Sequence, residues 1–439
     1  MGKKRRGGSS AVGSKNDPSS KQGTGASSAR GKVDGGVDDR ARFLFDVLVI
    51  VFVLPAVLTA VAFVFGLSPA LKSPSEGDVR PHFLARLVLS LLLDATYGGA
   101  FSTLLIPASR SLARLLPGAS VPDDRAGCER QEGEQNDTSL AWPIPGTDLP
   151  PDWVAAALGR KKGEQPFFLN HVRGSTRLRQ AAQRIANALG TLSMVAAMSY
   201  LVDGNSMHYI GLDLSLQDIV AGFVVGTVSV LALFLAELAL GWIRIIGFGE
   251  VVVPGESLPI NLTWDVLFHA GVSLNEEISL RGWVLVHAAA YFASLGAPPA
   301  TAMLVSASMQ AGMFALLHLG SPGASLVGLV NLVVGGSAAA LNVVLSGGLS
   351  FPLGWHFGWN IFMGHLLGMS TSGIPMSAKL ISVLPHPAKS HLHGGKFGPE
   401  QSPLAPVAYL LGCACLVALY GMDGMEAWRE RLNVALPGE

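Results

Sequence analysis

One mostly apolar, proline-free segment, from Trp264 to Leu295, carries three charged residues in its middle. A segment of this length and composition is typical of a membrane-spanning helix. Placing a charged side chain at the centre of such a helix costs from about 3 kcal/mol on insertion scales to far more in simulations. Charges at that depth are kept where they are paired or where they take part in chemistry. Glu276, Glu277 and Arg281 therefore indicate either a structural or a functional centre.

The spacing of these three residues separates their expected environments. Glu277 and Arg281 are four positions apart, so they lie on one helix face and can form an ion pair. Glu276 points about 100° away from Glu277 around the helix axis. It is the carboxylate without a local partner, and we expect it to face a different neighbour. The competing interpretation is that all three residues only hold neighbouring helices together.

Composition assigns the whole chain to the membrane proteins. The mean hydropathy of its 439 residues is +0.42 and only 14% of them are charged, against about 25% in soluble domains. We predict an all-α polytopic bundle of about 8–9 transmembrane spans. The net charge is zero, so nothing indicates a nucleic-acid partner. The cysteines number three, too few and too scattered for a disulfide framework or a thiolate zinc site.

The chain divides into four predicted regions. Residues 1–42 form a basic tail, rich in Gly and Ser, that we expect to be disordered. Residues 43–259 hold the first transmembrane spans, beginning at about 43–65, and a long polar loop at 107–184. Residues 260–370 contain the charged motif and the spans that follow it. Residues 371–439 hold a polar loop, the last transmembrane helix and the C-terminal tail.

Lys and Arg are distributed unevenly among the loops. They are frequent in the tail and in the long loop, and they are absent from 203–218, 296–299 and 346–350. Positive residues are enriched on the cytosolic side of a membrane. We therefore predict that the tail and the long loop lie on the cytosolic or stromal side. The membrane itself is interpreted as that of the endoplasmic reticulum or a plastid, with the bacterial plasma membrane as the alternative.

The second half of the long loop alternates arginines with apolar residues. The segment 167–187 contains Arg173, Arg177, Arg179 and Arg184. This pattern is typical of a helix on an anionic membrane surface. It is equally typical of a solvated helix that leads into the next span.

Close helix packing is predicted by three Gly-x-x-x-Gly pairs. They begin at Gly222, Gly354 and Gly364. Small residues at this spacing let two helix backbones approach each other within a membrane.

Two further polar pairs occur in later apolar segments. Phe314 and His318 are four positions apart, as are His356 and Asn360, so each pair lies on one helix face. Taken singly, a membrane histidine or asparagine is often only a hydrogen bonder between helices. Together with Glu276 they supply a carboxylate, two imidazoles and an amide from three helices. These are the groups that peptide hydrolysis requires.

The order of the motifs is also informative. Glu-Glu-x-x-x-Arg at 276–281, Phe-x-x-x-His at 314–318 and His-x-x-x-Asn at 356–360 resemble the motifs of the CPBP family of intramembrane glutamic proteases. That family includes the CAAX prenyl endopeptidase and bacteriocin-processing or immunity proteins. The resemblance covers about residues 260–370. The sequence of residues 351–360 is more similar to that of the bacterial-type and plastid branches of the family than to that of the eukaryotic CAAX endopeptidase.

The resemblance implies a role for each motif residue. Glu276 and His318 would activate a water molecule, and His356 and Asn360 would donate hydrogen bonds to the oxyanion. The supporting residues would be Glu277 and Arg281, which hold the site, and Phe314, which packs under His318. The implied activity is endopeptidase hydrolysis without a cofactor. The implied substrate is a protein or peptide at the membrane, with prenylated proteins as one class.

Two other functions compete with this interpretation. The first is a zinc metalloprotease, because Glu276, His318 and His356 are suitable zinc ligands, although the chain has no His-Glu-x-x-His motif. The second is a non-proteolytic membrane scaffold or immunity-like homologue with the same fold. A further group, His386, His391 and His393, could bind a metal, but we interpret it as part of a solvated loop.

Overall fold

The structure is a computed structural model of the chain. It describes residues 80–115, 177–203, 205–251, 257–374 and 376–422, with isolated residues at 53–57 and 424–428. The predicted tail, nearly all of the first predicted span and most of the long polar loop lie outside the described residues.

Helices make up most of the described chain. In chain order they are α1 Arg80–Leu115, α2 Arg177–Ala197, α3 Leu216–Ala239, α4 Leu258–Glu276, α5 Leu285–Ser294, α6 Pro299–Leu317, α7 Leu326–Ser346, α8 Ser350–Ile361, α9 Ser390–His393 and α10 Ala405–Tyr420. Wider π-helical turns continue three of them, at Met198–Asp203, Glu277–Val284 and Phe362–Leu366. Short 3₁₀ turns form at Met207–Ile210, Pro387–Lys389 and Pro399–Gln401.

Among the described residues, five helical segments are long and apolar enough to cross a membrane. They are Ala85–Ser109, Arg177–Asp203, Leu216–Ala239, Pro299–Leu317 and Leu326–Ser346. The length and composition of these helices confirm the prediction of a helical membrane protein. The predicted count of 8–9 spans is not reached among the described residues. Two physical reasons account for the difference within the described residues. Charged residues interrupt the run from α4 to α5, and α8 and α10 are short.

The exterior of α3 has the character of a lipid-facing surface. Val220, Val224 and Val228 are exposed at a spacing of four residues, so they form one apolar stripe along the helix. Water would make such a stripe unfavourable, and monomeric soluble proteins seldom expose large contiguous apolar patches. Hydrocarbon would cover it at no cost, which agrees with a membrane location.

A small sheet departs from the predicted all-α class. β1, Ile243–Val251, pairs antiparallel with β2, Ala378–Pro385, and the register is irregular between Ile245 and Gly247. The sequence analysis instead assigns β1 to the region of the first transmembrane spans, 43–259, and β2 to the region 371–439, which begins with a polar loop. Each strand has few residues, and pairing with a partner more than a hundred residues away supplies the hydrogen bonds that stabilise it.

The predicted close helix approach occurs between α3 and α8. A Cβ atom at Gly222 would overlap the main-chain oxygen of Phe351, and one at Gly354 would overlap that of Ile219. The second glycine of each pair lies equally near the opposite backbone. The pair that begins at Gly364 instead faces the segment that carries β2. Helix α8, which carries His356 and Asn360, is therefore fixed on α3 by backbone contact.

Long-range hydrogen bonds group the loops at two ends of the bundle. At one, the 210 end, the main-chain N–H of Leu349 donates to Gly211 over 2.9 Å. At the other, the 390 end, the ammonium group of Lys389 donates to the carbonyl of Leu240 over 2.9 Å. Helix α3 runs from the 210 end to the 390 end. The lysines of the segment 371–403 therefore belong to the 390 end.

Candidate active site

Glu277 lies at the start of the π-helical segment Glu277–Val284 and is 1% exposed. Its Oε1 atom is 3.2 Å from Nη1 of Arg281, so the predicted ion pair is present. The same oxygen also accepts a hydrogen bond of 2.7 Å from Nδ1 of His356 on α8. π-Helical turns inside α-helices are frequent at functional sites. Here the turn carries a carboxylate that holds a cation and an imidazole together.

The hydrogen bond to Glu277 fixes the orientation of the His356 ring. A carboxylate can only accept, so Nδ1 of His356 carries the proton. The other ring nitrogen, Nε2, lies 3.7 Å from Oε2 of Glu276. That separation is longer than a direct hydrogen bond, and a water molecule between such groups is a common arrangement. His356 therefore stands between the two adjacent glutamates, with a different nitrogen toward each.

Glu276 and Glu277 occupy different environments, as the sequence predicted. The side chain of Glu276 is 19% exposed, whereas that of Glu277 is 1% exposed. A carboxylate that reaches solvent can exchange protons with it, while a buried and doubly paired one is held in place. The two adjacent carboxylates therefore differ in burial and in the partners that hold them.

Phe314 joins the first and second motifs. Its ring centroid is 4.4 Å from the guanidinium carbon of Arg281 and 4.7 Å from the ring centroid of His318. Nδ1 of His318 donates a hydrogen bond of 2.9 Å to the Phe314 carbonyl. A carbonyl can only accept, so in the neutral ring the free Nε2 atom is the acceptor. His318 lies at the C-terminal end of α6 with a nitrogen suited to take a proton.

A cavity of about 40 Å³ lies beside these groups. Its polar lining comes from Glu277, Arg281, His356, Asn360, Glu400 and Tyr409, and Phe314, Trp355 and Trp359 supply aromatic walls. Most of the lining surface is apolar, and the polar side chains supply the hydrogen-bonding groups. A water molecule needs roughly 10–15 Å³ and such polar partners. The cavity is therefore large enough for a reacting water molecule inside the helix bundle.

Asn360 contributes an amide to this cavity. Its side chain is 4% exposed and follows His356 by one turn of α8. Among the described residues, the Asn360 amide has no hydrogen-bond partner. Buried polar groups without a protein partner call for an explanation such as water or a ligand. An amide that faces the cavity could donate to either.

The structure does not join all predicted site residues directly. Glu276, Glu277, Arg281 and His356 form one connected group. Asn360 lines the cavity together with Glu277, Arg281 and His356, whereas Glu276 is not one of the lining residues. Within the described chain, neither a hydrogen bond nor an ion pair connects Glu276 with His318. His318 is linked to the group through Phe314. The shared activation of water by Glu276 and His318 stays a prediction.

One polar residue of the cavity, Glu400, was not predicted from the sequence. Its side chain is 6% exposed and lies in the turn Pro399–Gln401, before α10. Burial raises the pKa of its carboxyl group, against the hydrogen bonds from Ser372 and the nearby charges of His318 and His356. No motif or spacing marked it, because the surrounding segment has the composition of a loop.

A second buried polar group was also missed. Asp265 on α4 is fully buried and pairs with Arg177 of α2. The same carboxylate lies 3.0 Å from Nδ1 of His365 and accepts a hydrogen bond of 2.7 Å from Ser377. Arg177 thus faces the interior of the bundle, rather than a membrane surface or solvent. An Asp in the apolar run of α4 was the signal that could have indicated this group.

The histidines of the predicted solvated loop do not behave alike. His393 is buried, and its Nδ1 atom is 2.6 Å from Glu237 of α3. His386 is exposed. In the described part of the chain, no three His, Cys, Asp or Glu side chains are arranged to hold a metal ion.

Comparisons of the chain with protein-family models, with curated proteins and with solved structures find no match.

Proposed function

We propose that the chain is a membrane-embedded endopeptidase of the CPBP type that uses Glu276 as its general base. The observation that carries the proposal is the position of His356, held by Glu277 through one ring nitrogen and facing Glu276 with the other. This arrangement lies beside a cavity large enough for water. Hydrolysis within a membrane protein needs such a space, since lipid itself supplies no water.

The chemistry follows from the groups present. Glu276, assisted by the free Nε2 atom of His318, takes a proton from a water molecule, whose oxygen attacks the scissile carbonyl carbon. The His356 imidazolium, stabilised by Glu277, and the Asn360 amide donate hydrogen bonds to the resulting oxyanion. Each such donor is typically worth about 3–4 kcal/mol of transition-state stabilisation. The C–N bond then breaks, and the leaving amine receives a proton.

The proposed topology adds further membrane-spanning segments to the five apolar helices. The run α4–α5, helix α8 with its π-helical continuation, and α10 would also cross or enter the membrane beside them. With the segment 43–65, this gives the predicted 8–9 spans. The 390 end would face the cytosol or stroma, since Lys379, Lys389 and Lys396 lie there. The membrane would be that of the endoplasmic reticulum or a plastid.

The substrate is proposed to be a protein or peptide at the membrane, with prenylated C-termini as the first class to test. The experiment is cleavage of a farnesylated CAAX peptide reporter, and of its unmodified form, by detergent-purified protein. We expect wild-type protein to cleave at least one of them. Glu276→Gln should keep the fold and lose turnover, and Asn360→Ala should cleave about 10²–10³-fold more slowly.

A non-proteolytic scaffold is the second candidate. The observation that favours it is the lack of direct contact between Glu276 and His318 within the described chain. A scaffold would hold the same fold and leave both reporters intact. If wild-type protein and Glu276→Gln behave identically with every reporter and in binding, the peptidase proposal is wrong and the scaffold interpretation replaces it.

A further inference from the structure

Glu400 shares the cavity with Glu277, His356 and Asn360 but comes from a segment outside the three motifs. Its 3₁₀ turn, Pro399–Gln401, brings the side chain in from the 390 end of the bundle. The carboxyl group is therefore presented to the site from a direction that none of the motif helices supplies.

The position of Glu400 is fixed on two sides. Its Oε2 atom accepts hydrogen bonds from the N–H and the hydroxyl group of Ser372, at 2.6 and 2.7 Å. The side-chain amide of Asn331 on α7 donates to the main-chain carbonyls of Glu400 and Ser402, at 3.0 and 2.8 Å. Among the described residues, the second carboxyl oxygen, Oε1, has no hydrogen-bond partner.

Ser372 adopts an unusual backbone conformation to make these bonds. Its φ is 49°, and among the described residues no other non-glycine residue has a positive φ. Left-handed backbone geometry is disfavoured for residues with a side chain and tends to persist at functional sites. The donated N–H and hydroxyl groups both reach Glu400, so the strained residue serves to hold this carboxyl group.

The groups that face Glu400 come from three elements. His318 at the end of α6 and His356 on α8 interact with it electrostatically, and so does Tyr409 on α10. Glu277 and Arg281 line the same cavity. Despite the two imidazoles, burial keeps the pKa of the Glu400 carboxyl above its ordinary value. A carboxyl group in this state can hold a proton and still release it.

On the basis of the proposed peptidase function, we propose that Glu400 is the acid that protonates the leaving amine. In this step the C–N bond of the tetrahedral intermediate breaks, and the nitrogen takes the proton from Oε1 of Glu400. The carbonyl double bond re-forms from the oxyanion electrons, and Glu400 is left as a carboxylate. The proton that Glu276 took from water then returns to Glu400 through solvent or the imidazoles, so the cycle is balanced.

The other two carboxylates are less suited to this step. Glu277 is held by both Arg281 and His356 and is 1% exposed. Its negative charge is therefore needed to balance these two buried partners. Glu276 is occupied as the base that deprotonates water. Glu400 has one anchored oxygen and one free oxygen, which is the arrangement that a proton donor requires.

The test compares two reporters of the same peptide, one with an amide and one with an ester at the scissile position. An alkoxide leaves with far less help from an acid than an amine does. Glu400→Gln keeps an acceptor for Ser372 and removes the acidic proton. We expect amide cleavage to fall by about 10²–10⁴-fold, with kcat affected more than KM, and ester cleavage to stay within about threefold of wild type.

The pH profile gives a readout that a merely structural role would not change. In wild type, amide cleavage should fall as pH rises through the pKa of Glu400, because the acid form is then lost. This fall in activity at higher pH should be absent from the residual amide cleavage by Glu400→Gln. Glu250→Gln, an equivalent change on an exposed strand residue, is the control and should match wild type with both reporters.

The outcomes separate this inference from the proposed function. If wild type cleaves, Glu276→Gln does not, and Glu400→Gln cleaves the amide at the wild-type rate, the role of Glu400 is wrong and the peptidase function stands. The role of Glu400 is also wrong if Glu400→Gln loses amide and ester cleavage equally. It is wrong too if the amide cleavage that remains in this variant still falls at higher pH. If wild type cleaves neither reporter, the proposed function fails and this inference fails with it.

Discussion

The Nδ1 atom of His356 lies 2.7 Å from the Oε1 atom of Glu277, across a separation of 79 residues in the chain. This contact joins helix α8 to the π-helical turn. It gives Glu277 a direct hydrogen bond from His356, whereas Glu276 lies 3.7 Å from the other ring nitrogen. Glu277 is thus the buried carboxylate with two partners, and Glu276 is the partly exposed one.

The two adjacent glutamates should therefore respond differently to substitution. Glu277→Ala leaves Arg281 buried without its partner, which typically costs about 3–5 kcal/mol. We expect lower folded yield and a lower thermal midpoint, together with loss of activity. Glu276→Gln keeps shape and hydrogen bonding at a partly exposed position and should leave the thermal midpoint near that of wild type. A folded, inactive Glu277→Gln beside an active Glu276→Gln would reverse the assignment.

The backbone contact between α3 and α8 predicts a sharp dependence on side-chain size. Gly354→Ala places a methyl group against the main-chain oxygen of Ile219. The two helices must separate, and overpacking of this kind typically costs about 1–3 kcal/mol. The matched control is Gly312→Ala on α6, where a Cβ atom meets nothing within 4 Å, so stability should hold or rise slightly. Thermal melting of both variants in detergent measures the difference. Equal melting midpoints for Gly354→Ala and Gly312→Ala would contradict the backbone contact between α3 and α8.

The buried Asp265 should be required for stability. Asp265→Ala leaves the buried guanidinium group of Arg177 uncompensated and removes the partner of His365. Loss of one member of such a pair typically costs about 3–5 kcal/mol. Asp213→Ala is the control, because Asp213 is exposed and its contact with His208 is at the surface. Denaturation of both variants tests this, and a wild-type midpoint for Asp265→Ala would show that the pair is dispensable.

Labelling can test the two ends of the bundle. In a background without native cysteines, His208→Cys reports the 210 end and His386→Cys reports the 390 end; both positions are exposed. An impermeant thiol reagent applied to sealed, oriented vesicles should label one position and spare the other. Labelling at the 390 end should require access from the cytosolic or stromal side. Equal labelling from one side would refute the proposed topology.

Catalysis should be independent of a bound metal. The zinc alternative requires Glu276, His318 and His356 to act together as ligands, whereas in the described chain His318 makes neither a hydrogen bond nor an ion pair with the other two and packs on Phe314. Reporter cleavage should survive dialysis against a strong chelator at the wild-type rate. Loss of activity that added zinc restores would give the three residues the role of ligands instead.

Local spacing in the sequence was sufficient for several features. The apolar segments predicted helices, a separation of four residues predicted the pair of Glu277 with Arg281, and the glycine pairs predicted close helix packing without naming the partner helix. Each depends on the geometry of one helix, which repeats every 3.6 residues regardless of the rest of the chain. The different environments of Glu276 and Glu277 were predicted on the same ground.

Only the tertiary structure decided which distant groups meet. The contact of His356 with Glu277 and the pairing of β2 with β1 each join residues more than 70 positions apart. The entry of Glu400 into the cavity joins a loop turn to the helices that carry the motifs. Such contacts depend on the angle and offset at which whole helices pack, and these are set by many side chains at once. For the same reason, the motifs predicted that Glu276 and His318 act together, whereas in the described chain neither a hydrogen bond nor an ion pair joins them and His318 packs on Phe314.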